Sequence, residues 1–149
     1  MLIISSKAGS ITPEIEAQLR RAFADFLIVE FDPKNDFRKQ VTADGLVVVA
    51  GGDGTIGFVS RALVESDHTL VILSMGTYNN FAKALGLPSS LTGAISVIKS
   101  GVPHRPTIGR VGGPPFLEAA AVGLLRPATE RGRAVQDGRL GSCAQQWAT

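Results

Sequence analysis

An apolar run that enters a glycine turn constrains this fold more than any other part of the sequence. Val47 to Ala50 is continuously apolar, and the Gly-Gly-Asp-Gly-Thr turn of Gly51 to Thr55 follows at once. A strand that is apolar at every position is typical of a parallel sheet covered on both faces. Glycines let successive backbone N–H groups converge on one anion, and a helix after Thr55 would point its first N–H groups the same way. The segment therefore predicts a strand, a phosphate-binding turn and a helix.

Apolar runs alternate with helix-like segments along most of the chain. Strands are predicted at Leu2–Ser5, Leu27–Phe31, Leu46–Ala50 and Leu70–Leu73. Helices are predicted from Thr12-Pro13 to about Phe26, from Ile56 to Leu63, at Asn80–Leu85 and at Leu91–Ile98, with a short polar helical stretch after Asp32-Pro33. This alternation predicts an α/β fold with a doubly wound, mostly parallel sheet, and places ligands at the carboxyl ends of its strands.

The pattern changes after residue 104. Two β-like runs, Arg105–Val111 and Phe116–Leu124, flank a Gly-Gly-Pro-Pro turn of the kind found in a hairpin or a domain connection. Residues 126–149 carry several arginines and few large apolar groups, which predicts an irregular or disordered tail. We therefore expect an α/β domain over residues 1–104, the start of a second, β-rich domain over residues 105–125, and the tail.

Composition narrows the class of protein. The 149 residues are 44% hydrophobic, enough for one core, and the net charge of +2 comes from scattered Lys and Arg that give nucleic-acid binding no support. The single Cys143 excludes an intrachain disulfide, which fits a reducing cytoplasm. No apolar stretch reaches the roughly 18 residues that a bilayer-spanning helix needs. We expect a soluble cytoplasmic protein that could still make peripheral contact with a membrane.

The glycine turn is open to three explanations. Gly52, Gly54 and Gly57 match the dinucleotide fingerprint, but the next strand ends in Ser74, where that fingerprint requires an acid for the ribose. A Walker-type loop is excluded because no Gly-Lys-Ser or Gly-Lys-Thr occurs. A purely structural turn would need only one glycine. The third explanation is a phosphate cradle of the Gly-Gly-Asp-Gly-Thr type, and the dinucleotide and purely structural explanations stay open beside it.

A second motif indicates which kind of cradle this is. The segment from Gly76 to Pro88 reads Gly-Thr-Tyr-Asn-Asn-Phe-Ala-Lys-Ala-Leu-Gly-Leu-Pro. Together with the first motif it resembles the catalytic domain of the diacylglycerol kinase and sphingosine kinase family, whose pattern is Gly-Thr-x-Asn-Asp-Phe-Ala-x-x-Leu-Gly-x-Pro. The first motif alone is shared with 6-phosphofructokinases and NAD kinases, and the Asn-x-Gly-x-Leu-Gly-Phe segment expected of an NAD kinase is absent. The resemblance extends from Met1 to about Leu124.

The resemblance implies ATP and Mg²⁺ as cofactors and a lipid hydroxyl as phosphate acceptor. It assigns nucleotide binding to Ser5, Ser6, Gly51, Gly52, Asp53, Gly54, Thr55, Gly76, Thr77, Asn79 and Asn80, and metal binding to Asp53. It leaves the catalytic residue unassigned. Phe81 and Leu85 are better explained as core contacts of a helix and Lys83 as a solvated helix residue, while His68 and His104 are expected at the surface.

Departures from the family pattern lead to two hypotheses. Ser5-Ser6 stands where the family has Asn-Pro, and Asn80 replaces the common Asp. The resemblance implies a second, β-rich domain that carries the lipid site and the general base, and we expect most of it to lie outside this sequence. Asp137 lies in an apolar-poor segment. We therefore expect either a lipid kinase whose base lies elsewhere or a truncated, non-catalytic nucleotide-binding remnant, with an NAD kinase-like enzyme as a further alternative. An unpaired strand at Phe116–Leu124 would favour a homodimer, which we carry as a hypothesis.

Overall fold

The computed structural model of the chain describes residues 1–34, 39, 45–113 and 115–117. Contacts divide the chain into two units, Met1–Glu118 and Ala119–Thr149, and every described residue belongs to the first unit. The predicted polar helical stretch after Pro33, most of the run Phe116–Leu124, Asp137 and the predicted tail lie outside the described residues, so those expectations stay predictions.

The described elements alternate as the sequence predicts. Strands are β1 (Leu2–Ile4), β2 (Ile28–Glu30), β3 (Leu46–Gly51), β4 (Thr69–Ser74), β5 (Gly109–Arg110) and β6 (Pro115–Phe116). Helices are α1 (Pro13–Ala22), α2 (Asp53–Leu63), α3 (Asn80–Ala84) and α4 (Leu91–Ser100). The predicted α/β class is confirmed.

A parallel four-stranded sheet in the order β2-β1-β3-β4 forms the centre of the unit. Ile3 of β1 stands in register with Val29 of β2 and Val49 of β3, and Val49 is in turn paired with Ile72 of β4. Because all four strands run the same way, their carboxyl ends lie at one edge. The loops after β1, β3 and β4, which hold every predicted site residue, therefore start from that edge.

Helices cover both faces of this sheet, since alternate strand residues point to opposite sides. Leu2, Ile4, Val48 and Ala50 pack on one face with Leu19 of α1 and Ala94 of α4. Ile3, Val47 and Val49 pack on the other face with Ile56, Val59 and Leu63 of α2 and Ala82 of α3. Both faces of the central strands are buried, which is why β3 is apolar at every position.

Capping residues begin the two long helices that share a face. The Thr12 hydroxyl accepts a hydrogen bond from the Ile15 N–H at 3.3 Å, and Pro13 occupies the first turn of α1. A hydrogen bond from the Thr12 side chain also holds the pKa of the Glu14 carboxyl below its usual value. Ser90 caps α4 in the same way through the Gly93 N–H at 3.2 Å.

Two expectations need correction. Leu85 is not a core contact: α3 ends at Ala84, and the Leu85 side chain is 36% exposed, whereas Phe81 does pack against the α2 face. The predicted run Arg105–Val111 forms a strand only at Gly109–Arg110, which pairs antiparallel with Pro115–Phe116. Residues 101–107 are exposed and therefore lack the burial that extends a strand.

Among the described residues, no helix is both long enough and apolar enough to cross a lipid bilayer.

Candidate functional site

Three loops meet at the carboxyl edge of the sheet, where β1 and β4 flank β3. The Ser5 N–H donates to the Ala50 carbonyl at 2.9 Å, and the Met75 N–H donates to the Gly51 carbonyl at 2.8 Å. The Ser10 N–H, from the loop after β1, reaches the Met75 carbonyl at 3.1 Å. The loops that follow β1 and β4 are therefore joined directly beside the end of β3.

The first glycine loop, Gly51–Thr55, leaves the start of α2 open. Gly52 is the N-cap residue in extended backbone and makes no side-chain cap, and the first helical bond runs from the Ile56 N–H to the Gly52 carbonyl at 3.0 Å. The N–H groups of residues 53 to 55 precede that bond and have no carbonyl partner within the helix. Gly54 is exposed, and a Cβ built on it meets nothing within 4 Å. An anion can therefore approach the positive end of α2.

Gly51 and Thr55 lie at the buried base of this loop. A Cβ on Gly51 would stand 2.8 Å from the Thr55 Cβ, and Thr55 is only 8% exposed. Gly57, by contrast, does not make the close helix–strand contact of a dinucleotide fingerprint: the nearest described atom to a Cβ there is Nη1 of Arg61, at 3.4 Å. The geometry favours the phosphate cradle over the dinucleotide explanation.

The second glycine loop, Gly76–Asn80, packs backbone to backbone on the first. A Cβ on Gly76 would lie 2.6 Å from the Gly52 Cα, and one on Gly52 would lie 3.1 Å from the Gly76 Cα. Real Cβ atoms do not approach other atoms as closely as the first of these distances. Glycine at both positions is therefore what allows the two loops to touch.

Asn79 shapes the second glycine loop from within. Its backbone is left-handed, with φ 52° and ψ 42°, a conformation that asparagine tolerates better than most residues. The Asn79 Oδ1 accepts the Gly76 N–H at 2.8 Å, and its Nδ2 donates to the Gly76 carbonyl at 2.9 Å. Both ends of the amide are thus used inside the loop, and Asn79 makes no side-chain cap for α3.

Asp53 connects the two glycine loops. Its Oδ2 accepts the Asn80 N–H at 3.1 Å, and its Oδ1 accepts the Phe81 N–H at 3.4 Å, a weaker bond because of its length. Asp53 is partly buried, and Asn80 is exposed. The carboxylate of the first glycine loop therefore lies at the start of α3.

Ser6 and Glu30 connect the edge strand to the site. Both the N–H and the hydroxyl of Ser6 donate to Oε1 of Glu30, the last residue of β2. Sequence reasoning missed Glu30, although an acid at the end of a predicted parallel strand was a readable signal. The predicted role of Ser6 as a nucleotide ligand stays a prediction, since its hydroxyl already has a carboxylate partner.

The structure brings the predicted site residues together at one edge. Thr77 faces the loop after β1, where a Cβ on Gly9 would lie 3.5 Å from the Thr77 Oγ1. Lys83 and His104 are exposed, as expected, and His68 is half-buried with its Nδ1 3.0 Å from the Ser66 Oγ. The individual nucleotide-binding roles of these residues remain predictions.

No group of three or more His, Cys, Asp or Glu side chains that could hold a metal ion occurs in the described part of the chain. Asp53 is the only acidic residue in the two glycine loops.

Comparison with known proteins gives matches over most of this unit. A family model described as the diacylglycerol kinase catalytic domain matches residues 1–111. A diacylglycerol kinase of Staphylococcus epidermidis is 40% identical over 82 residues, covering 54% of this chain and 26% of that protein. A diacylglycerol kinase of Bacillus subtilis is 39% identical over 87 residues, covering 56% of this chain and 29% of that protein. The chain thus spans between a quarter and a third of the length of these curated relatives.

A solved structure agrees with the fold. The crystal structure of a diacylglycerol kinase from Bacillus anthracis superposes with a TM-score of 0.62 at 27% identity. The match covers 88% of this chain and 50% of that one. A mostly parallel sheet with helices on both faces is thus shared with a protein of twice the matched length.

Proposed function

The chain belongs to the diacylglycerol kinase catalytic domain family, and from this membership we propose that it holds ATP at the two glycine loops for phosphoryl transfer to a lipid hydroxyl. The observation that carries the proposal is the open start of α2 beside the Gly52–Gly76 contact. Backbone N–H groups there can bind phosphate oxygens without any side chain in the way.

The arrangement of the two glycine loops suits phosphoryl transfer. The reaction needs positioning and electrostatic stabilisation far more than covalent chemistry from the protein. The N–H groups at the start of α2 would orient the phosphates, and Thr77 and the loop after β1 would border them. Ser5 and Ser6, in that loop, are our further candidates for nucleotide contact.

Mg²⁺ would be held by Asp53 together with nucleotide phosphates and water. A carboxylate has about four lone-pair sites, so two amide hydrogen bonds leave room for a metal. When bound, Mg²⁺ would offset the negative charge of the nucleotide phosphates. The acceptor would be diacylglycerol, the lipid in the names of the relatives, which requires peripheral contact with a membrane and a cytoplasmic supply of ATP.

Gly54→Ala tests the cradle without disturbing the fold. A Cβ at this position meets nothing in the structure, so replacing glycine within α2 should raise the free energy of unfolding by about 0.5–1 kcal/mol. Helical Cβ atoms tilt toward the N-terminus, so the new methyl group would stand beside the first-turn N–H groups. We expect ATP affinity, measured by isothermal titration calorimetry with Mg²⁺, to fall about tenfold (1.4 kcal/mol) or more.

Gly57→Ala is the matched control. It makes the same change one helical turn later, where only the flexible end of Arg61 lies nearby. It should stabilise α2 to a similar degree and leave ATP affinity unchanged. Equal ATP affinity in both variants and in the wild type would contradict a phosphate site at the start of α2. Loss of affinity in Gly57→Ala would instead favour the dinucleotide explanation, which needs a third glycine there.

A further inference from the structure

The start of α3 is capped by a residue from another loop. Asn79 occupies the N-cap position, where asparagine normally bonds an amide of the first turn, but its side chain is bonded at both ends to Gly76. The Asn80 and Phe81 N–H groups, which need acceptors, find them on Asp53, 27 and 28 residues earlier in the chain.

The Asp53 carboxylate also does not occupy the N–H groups at the start of α2, where a phosphate would bind. Asp53 is the first residue of α2, and the N–H groups at the start of that helix are our proposed phosphate site. A carboxylate bonded to those N–H groups would compete with phosphate for the same donors. Bonded to the start of α3 instead, it leaves the donors of α2 open and has part of its charge offset by two amide dipoles.

We propose that Asp53 is a positioning residue, whose carboxylate ties the start of α3 to the first glycine loop and so sets the spacing of the two glycine loops. The Gly52–Gly76 contact fixes the loops at one point, and the Asp53 bonds fix them at a second. Because the loops are held at two separate points, the second glycine loop cannot rotate about the Gly52–Gly76 contact. This inference rests on the proposed nucleotide site and adds a task for Asp53 that does not require a metal.

The experiment compares Asp53→Ala and Asp53→Asn with Asp25→Asn, which removes the same charge from an exposed residue in the turn before β2. Hydrogen exchange of the Asn80 and Phe81 amides reports the bonds directly. We expect exchange at least tenfold faster in Asp53→Ala, intermediate exchange in Asp53→Asn because its amide oxygen still accepts one bond, and no change in Asp25→Asn.

ATP binding by calorimetry, with Mg²⁺ and separately with EDTA, distinguishes positioning from metal binding. A positioning role predicts a similar loss, about tenfold, in Asp53→Ala under both conditions, with partial recovery in Asp53→Asn. A loss seen only with Mg²⁺, with unchanged amide exchange, would overturn the proposal and leave Asp53 as a metal ligand alone. If the wild-type chain fails to bind ATP, the proposed function fails, but the exchange measurement still tests the attachment.

Discussion

At the scale of single residues, two glycines are required because two backbones touch. The Gly76 position has no room for a Cβ, which would lie 2.6 Å from the Gly52 Cα and 2.9 Å from the Asn79 Oδ1. We expect Gly76→Ala to lower the free energy of unfolding by about 1–3 kcal/mol, the usual range for overpacking, and to weaken ATP binding as the loops separate. Urea unfolding and calorimetry measure the two effects.

The control for Gly76→Ala is Gly45→Ala, just before β3. A Cβ there meets nothing within 4 Å, so the substitution should be neutral or stabilise by up to about 1 kcal/mol through the unfolded state. Equal stability of the two variants would show that the loops part easily, and would count against a close Gly52–Gly76 contact in solution.

Residue-scale detail was also the least predictable from the sequence. The motifs located the glycines and Asp53 because their spacing follows from one strand and one turn. The bonds from Asn80 to Asp53 and from Ser6 to Glu30 join residues 27 and 24 positions apart, and they depend on which strands are neighbours. Sequence order alone does not place β1 between β2 and β3, so these contacts needed the structure.

At the scale of elements, periodicity and end signals predicted most helices and strands. The strand Leu46–Ala50 and the start of the helix at Thr12-Pro13 are confirmed within one residue, because burial and capping there are local properties. The predicted end of that helix, at about Phe26, is wrong, since α1 ends at Ala22 and Phe23 already has non-helical backbone. Leu85 was mistaken for a core residue because i, i+4 spacing predicts a shared face only while the helix continues. The predicted strand Arg105–Val111 was too long because the exposed residues before Gly109 bury nothing by pairing.

The cap of α1 supports a prediction that combines stability with titration. Thr12→Ala removes the acceptor for the Ile15 N–H, which should cost about 1 kcal/mol of unfolding free energy. It also removes the hydrogen bond that lowers the pKa of Glu14, so that pKa should rise toward its ordinary value. Denaturant unfolding at neutral pH and an NMR titration of the Glu14 side chain measure the two effects.

The sign of the change in folding stability with pH follows from the linkage between protonation and folding. A carboxyl whose pKa is lower in the folded state stabilises above its unfolded pKa, and this contribution disappears as pH falls through the folded pKa. The stability difference between wild type and Thr12→Ala should therefore narrow in acid. Thr92→Ala on the exposed side of α4 makes the same chemical change without a cap and should shift stability by less than about 0.5 kcal/mol. If the stability difference between wild type and Thr12→Ala widened as the pH falls, the proposed contribution of Glu14 would be contradicted.

At the scale of the whole molecule, binding and transfer of phosphate depend on different groups. Backbone N–H groups at the start of a helix can hold an anion, and the described unit offers them at the start of α2. Transfer to a hydroxyl also needs a base within hydrogen-bond reach, together with the lipid itself. The domain boundary after residue 104 and self-association through an open strand stay predictions, since much of the segment that would decide them lies outside the described part of the chain.

Because binding and transfer of phosphate need different groups, we predict that the 149-residue chain binds ATP but transfers its phosphate poorly. Asp53, the only acid of the two glycine loops, bonds the amides at the start of α3 with both oxygens, so we do not assign it the role of base for a lipid hydroxyl. Because a positioned base contributes about 10²–10⁴-fold, we expect phosphate transfer to diacylglycerol at least about 100-fold slower than by the Bacillus subtilis relative. Radiolabelled ATP and mixed micelles measure the rate, and calorimetry on the same sample checks that nucleotide is bound. A comparable rate would mean that another residue of this chain supplies the base.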